Sequence, residues 1–283
     1  MILVDYSAIA VATVVINKVN DEDILRHMIL NTLRMYNKKF RDEYGEMILC
    51  CDGMNNWRRN YFPQYKANRK KGREESDFDW NKAFAIMDEV REDIKENFPY
   101  KVLKINECEA DDIIGTLAAN TQEFGNYENV MIVSADGDFK QLQVYENVKQ
   151  FSPLLKKDVV DPNPRLNLRI KIIKGDAGDG VPNILSNDNV FVEGIRQTPV
   201  SKKKLEAISN DLENSELLRE AVWYRNYQRN ETLIDLTKTP DRLKKEIITE
   251  YNSQNQTENK GLVLPYLINK NMKMLIESVE EFL

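Results

Sequence analysis

The sequence predicts an α/β fold: a mostly parallel sheet flanked by helices, continued by a helical C-terminal part. Three observations carry this. Short apolar runs recur at 1–4, 47–51, 100–105 and 130–135, each fit for a strand buried on both faces. Between them lie segments with helical spacing. The clearest is 81–98, where Ala83, Phe84, Met87, Val90, Ile94 and Phe98 recur at near-helical intervals. After about residue 165 the strand-like runs fade into helical pattern broken by polar turns, with Pro182, Pro199, Pro240 and Pro265 as punctuation. Strand–helix alternation builds parallel sheets, because parallel neighbours need a crossover connection. The expected division is an α/β domain over 1–165 and a helical domain over 166–283.

With 283 residues, the chain can hold roughly two domains and a sizeable core. Apolar residues make up 42% and charged residues 30%, and no run of 18 apolar residues occurs, so a membrane helix is not expected. The opening "MILVDYSAIAVATVVI" lacks a basic start and contains Asp5, which suits a strand entering a helix better than a signal peptide. Three cysteines, Cys50, Cys51 and Cys108, form neither a disulfide framework nor a zinc spacing and point to a reducing intracellular compartment. The single histidine, His27, sits in a helical pattern and reads as structural. A net charge of −6 argues against nucleic-acid binding only as an average; the distribution decides.

Acid collects where strands stop. "MILVD" ends on Asp5, "MILCCD" on Asp52 and "MIVSAD" on Asp136, with Asp138 two residues on. In a parallel sheet the carboxyl ends of the strands share one edge, and ligands bind outside it. A helical run, "ECEADDIIGTLAA", opens with Glu109, Asp111 and Asp112. Acids at such places also simply cap. As a set they would repel one another, and divalent cations with a preference for oxygen ligands relieve that repulsion. A pair of such ions activates water and stabilises a leaving phosphoester oxygen.

Base collects elsewhere. "WRRNYFPQYKANRKKGR", 57–73, holds seven Lys or Arg and no acid, with Trp57, Tyr61, Phe62 and Tyr65 among them. Cations mixed with aromatics suit phosphate contact and base stacking; a solvated loop is the plainer alternative. The segment "IKIIKGDAGDGVPNIL", 170–185, is a glycine-rich turn at a helix junction with Asp176 and Asp179. By its composition it is a turn-rich junction, with a calcium-type loop as a weaker rival.

The order Asp5, Asp52, "EADD", "DGD" and "GDAGD" resembles the metal-dependent 5′ nucleases of the flap endonuclease family. "YKANR", 65–69, is similar to the basic arch motif of its bacterial and phage members, here about 53–80. "KGDAGDGVPNI" resembles the start of their helix–three-turn–helix. "REES", "VLKINECEADD" and "VKQFSP" before a lysine pair are similar to the T-even bacteriophage branch, of ribonuclease H type.

The resemblance implies a PIN-like 5′ nuclease core and two Mg²⁺ ions, with Mn²⁺ as substitute. Asp5, Asp52, Asp111 and Asp136 would hold the first ion. Glu109, Asp136, Asp138, Asp176 and Asp179 would surround the second. Lys66 and Arg69 would steady the scissile phosphate and Tyr6 would orient the terminal nucleotide. Arg58, Arg59, Tyr65, Lys70, Lys71 and Arg73 would contact nucleic acid. The sequence departs from the pattern at "SNDNVFVEGIRQTPVSKKKLEAI", where a second glycine-rich turn is expected; Lys202, Lys203 and Lys204 would supply phosphate contacts there.

The implied activity is 5′→3′ exonuclease and flap endonuclease cleavage of RNA or DNA, with removal of RNA primers from lagging-strand fragments. Implied substrates are RNA–DNA and DNA duplexes and 5′ flap or forked DNA. Implied partners are a single-stranded-DNA-binding protein and a sliding clamp, in a monomer working in the host cytoplasm. Two other readings remain open: a small-molecule phosphohydrolase on a similar sheet, and a non-catalytic branched-DNA-binding module.

Overall fold

The first four strands of the computed structural model are the four apolar runs: β1 (Ile2–Asp5), β2 (Met47–Cys51), β3 (Lys101–Lys104) and β4 (Val130–Val133). The structure describes residues 1–18, 21–67, 78–211 and 223–283. Two further strands follow, β5 (Val148–Ser152) and β6 (Lys157–Val159). The sheet order is β3-β2-β1-β4-β5-β6, with every pair parallel except β5–β6. This is the mostly parallel, helix-flanked sheet expected from the sequence.

Helices pack on this sheet through apolar stripes. Helix α1 (Tyr6–Asn17) follows β1 directly. In α2 (Glu22–Tyr44), Asp21 caps the Ile24 amide at 3.0 Å, and Leu25, Ile29, Leu30, Leu33 and Phe40 are buried. Gly45, at φ 80°, ends that helix in a backbone conformation that costs glycine little. The next helix, α3 (Trp57–Tyr61), is short, and α4 (Trp80–Asn97) is the segment read at 81–98. It buries Ala83, Met87, Val90 and Ile94, and Phe84 is partly buried. Arg26, fully buried, joins α2 to α4 by ion pairs to Glu89 and Asp93 at 2.8 and 2.7 Å. Helix α5 (Ala110–Asn120) follows β3.

Two compact units emerge. The first comprises Met1–Met54, Asp77–Val160 and Asp241–Leu283; the second comprises Asn55–Ser76 and Asp161–Pro240. This cuts the chain differently from a linear boundary at 165. The reason is packing: after α9 (Asp241–Ser253), helices α10 (Val263–Asn269) and α11 (Lys273–Ile276) bring Val263, Leu267 and Leu275 into the core that holds Ile2, Val4 and Leu49.

The second unit is helical, with α6 (Pro164–Lys174), α7 (Lys202–Asp211) and α8 (Tyr224–Ile234). Its core includes Phe62, Tyr65, Ile172, Val181, Leu233 and Ile234. Asn230, fully buried, donates to the Ile172 and Pro182 carbonyls, both at 2.8 Å. The three cysteines form no disulfide and are buried, His27 is half-buried in α2, and no described helix is long and apolar enough to cross a membrane.

Candidate active site

Chain order reverses direction in the sheet at β1: β2 and β3 lie on one side and β4 on the other. Ligands of open α/β sheets bind outside the carboxyl ends of strands at such a switch point. Asp5 is the last residue of β1, Asp52 follows β2, and Asp136 lies three residues beyond β4.

Asp5 is buried, and both its oxygens are engaged. The Ala8 amide donates to one at 3.0 Å and the Ser134 hydroxyl to the other at 3.2 Å. Burial pushes its pKa up to about 7, and the neighbouring carboxylates of Asp52 and Asp136 add to the rise. No Lys or Arg forms an ion pair with Asp5, Asp52 or Asp136 among the described residues.

Asp52 accepts from the Ala110 amide at 2.9 Å, which places it at the N-terminus of α5. Gly53 makes this approach possible. Its amide donates to the Cys108 carbonyl at 2.8 Å, and a Cβ there would stand 1.9 Å from the Ile105 carbonyl oxygen. At the start of α5, fully buried Asp112 accepts from the Glu109 amide at 2.9 Å. Asp112 is thus structural. Half-buried Asp111 lies near enough to Cys50, at the end of β2, to help push up that thiol, behind burial, Cys51 and Asp5.

Asp136 is exposed and caps the following 3-10 turn by accepting from the Asp138 amide at 2.9 Å. Its own amide donates to Ser134 Oγ at 3.1 Å. Gln150, from β5, donates to the carbonyls of Ser134 and Asp136 at 3.0 and 2.7 Å. Ser134 therefore ties Asp5 to the Asp136 loop, and Gln150 holds that loop to the sheet. Sequence reasoning missed both. For Ser134 the available signal was a small hydroxyl two residues before Asp136.

The donors are all carboxylate oxygens, suited to a hard divalent cation. Among the described residues, no group of three or more His, Cys, Asp or Glu is gathered closely enough to hold one. The chemistry of the set fits a metal.

Residues 2–166 match a family model described as 5′-3′ exonuclease, N-terminal resolvase-like domain. The chain belongs to the 5′-3′ exonuclease family. Residues 162–282 match a second model, described as T4 RNase H, C terminal. The Ribonuclease H of Enterobacteria phage T4 is 35% identical over 99% of this chain and 95% of that protein. A 5′-3′ exonuclease of Buchnera aphidicola is 25% identical over 75% of this chain and 74% of its own length.

Solved structures agree on the fold. A bacteriophage T5 protein co-crystallised with metal ions has a TM-score of 0.63 at 18% identity, covering 88% of this chain and 98% of that one. A T5 flap endonuclease in a pseudo-enzyme-product complex with DNA and metal ions has a TM-score of 0.61 at 17% identity, covering 91% and 95%. The fold is the PIN-like 5′ nuclease fold, and the family is one of nucleases, enzymes that hydrolyse phosphodiesters.

In this family member three residues expected at nucleic acid are buried. Tyr6 is buried, its hydroxyl donating to the Met87 carbonyl at 2.6 Å. Arg58 is buried, with Nε donating to the Leu233 carbonyl at 2.9 Å. Tyr65 is buried, its hydroxyl donating to Asp179 at 3.0 Å. A buried ring cannot stack on a base, nor a buried guanidinium reach a phosphate, so these three assignments are corrected. Arg59 is exposed, as are Lys202, Lys203 and Lys204 in the first turn of α7. Arg69, Lys70, Lys71 and Arg73 lie outside the described residues.

Asp176 and Asp179 belong to the second unit. Lys171 pairs with Asp176 at 2.8 Å; the Lys66 ammonium lies 3.6 Å from Asp179 and the Lys66 amide donates to the Asp179 carbonyl at 2.7 Å. Gly175, at φ 70°, opens this turn where a Cβ would stand 2.4 Å from the Val181 carbonyl oxygen.

Proposed function

We propose that the protein is a divalent-metal-dependent nuclease that hydrolyses phosphodiesters at 5′ ends of RNA or DNA, in duplexes and flaps. The observation carrying this reading is the convergence of Asp5, Asp52 and Asp136 at the switch point, with no ion pair to Lys or Arg among the described residues, in a chain of the 5′-3′ exonuclease family. The proposal extends to primer removal in phage replication, with the 35% identity to phage T4 Ribonuclease H as its support.

Asp5, Asp52, Asp111 and Asp136 are the proposed ligands of one Mg²⁺, and Glu109, Asp136 and Asp138 of a second. Bound ions would supply activation of water and stabilisation of the leaving oxygen. The protein's part is orientation. The Ala8 amide and Ser134 hydroxyl fix the Asp5 carboxylate, the Ala110 amide fixes Asp52, and Gln150 fixes the backbone that carries Asp136. Lys66 and Lys202–Lys204 are proposed to meet substrate phosphates.

A 5′-labelled flap and a small phosphate ester, each with Mg²⁺ and with chelator, test the reading. Flap cleavage that needs Mg²⁺, with the ester untouched, is expected. Binding without cleavage would make the protein a branched-DNA-binding module, and ester hydrolysis alone would make it a phosphohydrolase.

A further inference from the structure

The proposed chemistry sits at the carboxyl edge of the sheet. The opposite edge, where the parallel strands begin, carries a cleft of its own. It lies wholly within the first unit, against Met47 at the start of β2 and Lys101 at the start of β3, and encloses about 380 Å³. That volume falls in the range of small-ligand sites. One wall is Gln254, which follows α9 and pairs with the edge strand β3 as a further strand would. Its side-chain nitrogen donates to the Val102 carbonyl at 2.9 Å, and its oxygen accepts from the Val102 amide at 3.0 Å.

Tyr100 lines this cleft and carries the group that packing leaves unexplained. Its ring stacks on Phe98 with centroids 5.9 Å apart, and its hydroxyl is buried with no hydrogen-bond partner among the described residues. Buried polar groups nearly always have partners, because an unpaired one loses its hydration and gains nothing in return. A buried phenol without an acceptor calls for one from outside the chain.

The surrounding charges select the kind of acceptor. Burial pushes the Tyr100 pKa up, and the Arg41 guanidinium is close enough to pull against that rise. Arg41 is exposed, and its ion pair is a long one, 3.7 Å to Asp42. Lys260, also exposed on the cleft, forms no ion pair among the described residues. Two acidic side chains line the cleft as well. Glu46 is engaged by Lys101 at 3.3 Å and by the Tyr251 hydroxyl at 2.6 Å, and the Asp42 side chain is 95% exposed. A cationic ligand would meet Arg41, Lys101 and Lys260. A hydroxyl donor beside two cations with spare N–H groups suits an oxyanion. We propose that this cleft is a second binding site, for the phosphate or carboxylate group of a small anionic ligand, held by the Tyr100 hydroxyl, Arg41 and Lys260. No member of the carboxylate set takes part, and the inference stands apart from the nuclease reading.

Isothermal titration of the full chain tests this, in chelator so that no metal draws anions to the carboxyl edge. The probes are inorganic phosphate, adenosine 5′-monophosphate and succinate. Wild type should bind at least one with a Kd below about 1 mM, and the one it takes separates a phosphate source from a carboxylate source. Arg41→Gln with Lys260→Gln should abolish that binding. Tyr100→Phe should weaken it at least about tenfold, the scale of one hydrogen bond to a charged group. Without ligand, Tyr100→Phe should keep or raise the thermal midpoint, since it removes an unpaired buried hydroxyl.

Failure of all three probes to bind wild type would overturn the proposal, as would equal binding by wild type and the Arg41–Lys260 double variant. A lowered midpoint for Tyr100→Phe in buffer alone would overturn it too, by giving the hydroxyl a partner inside the protein.

Discussion

The two units each gather aspartates beside a turn, and they treat them in opposite ways. In the second unit Asp176 is held against Lys171. Burial alone would raise its pKa, but the Lys171 ammonium and backbone amides bring it below the usual carboxylate value. In the first unit Asp5 forms no ion pair among the described residues; it has two hydrogen bonds and two neighbouring carboxylates, and burial above all raises its pKa to about 7. A turn that balances its acids with lysine is complete by itself. A sheet edge where Asp5, Asp52 and Asp136 form no ion pair among the described residues suits the divalent-cation role proposed above.

The largest expected effect breaks that contrast at its centre. Asp136→Asn should reduce cleavage below detection while nucleic-acid binding, measured by filter retention, changes little, because binding rests on phosphate contacts. Near-normal turnover with Mg²⁺ would remove the carboxylate set from the mechanism.

Asp5→Asn should separate activity from stability. Asn keeps the cap on α1 but carries no proton to lose. Asp5 is protonated in the folded, ion-free protein between about pH 4 and 7 and ionised in the unfolded chain, so its contribution is full below pH 4 and lost as pH rises through 7. The variant should therefore be inactive, yet more stable than wild type in chelator at pH 8 by roughly 2–4 kcal/mol, at ~1.4 kcal/mol per pKa unit. Urea unfolding at pH 4 and pH 8 checks this; equal midpoints at both would contradict the raised pKa.

Asp176 should respond with the other sign. Asp176, lowered in the folded state, contributes above the unfolded carboxylate pKa and loses that contribution as pH falls through its folded value. Asp176→Asn should cost about 1 kcal/mol at pH 7, with the difference fading below pH 4.

The smallest effect is expected at α7. Lys202, Lys203 and Lys204 occupy a first helical turn that favours negative charge, so changing all three to Ala should leave stability unchanged or slightly raised. The log–log salt slope of duplex binding should fall by at most about 2.7. An unaltered slope would place these lysines on a solvated face.

What was legible in the sequence follows the same division. The first four strands were visible because buried parallel strands are continuous apolar runs, and three of them point to the aspartates that follow. β5 was hidden by Lys149 and Gln150 in "VKQFS". Gln150 is buried because its amide serves the Asp136 loop, a role that no hydrophobic pattern records. β6 is three residues on a polar edge. The basic-aromatic stretch misled in part. Arg58 and Tyr65 have the composition of a nucleic-acid contact, but Phe62, Ile172 and Leu233 close over that position. Composition cannot tell a ring that stacks on a base from one that stacks in a core.

One feature of the architecture bears on how the chain is made. The sheet's core draws residues from 1–54, 77–160 and 241–283, so the second unit's 161–240 is synthesised before the core can close. At roughly 5–20 residues per second on the ribosome, that delay lasts several seconds. During it, the apolar positions that await Val263, Leu267 and Phe282 are open. Nascent chains arrested near residue 240 should be held by chaperones and cut readily by protease, and emergence of 241–283 from the ribosome should end both.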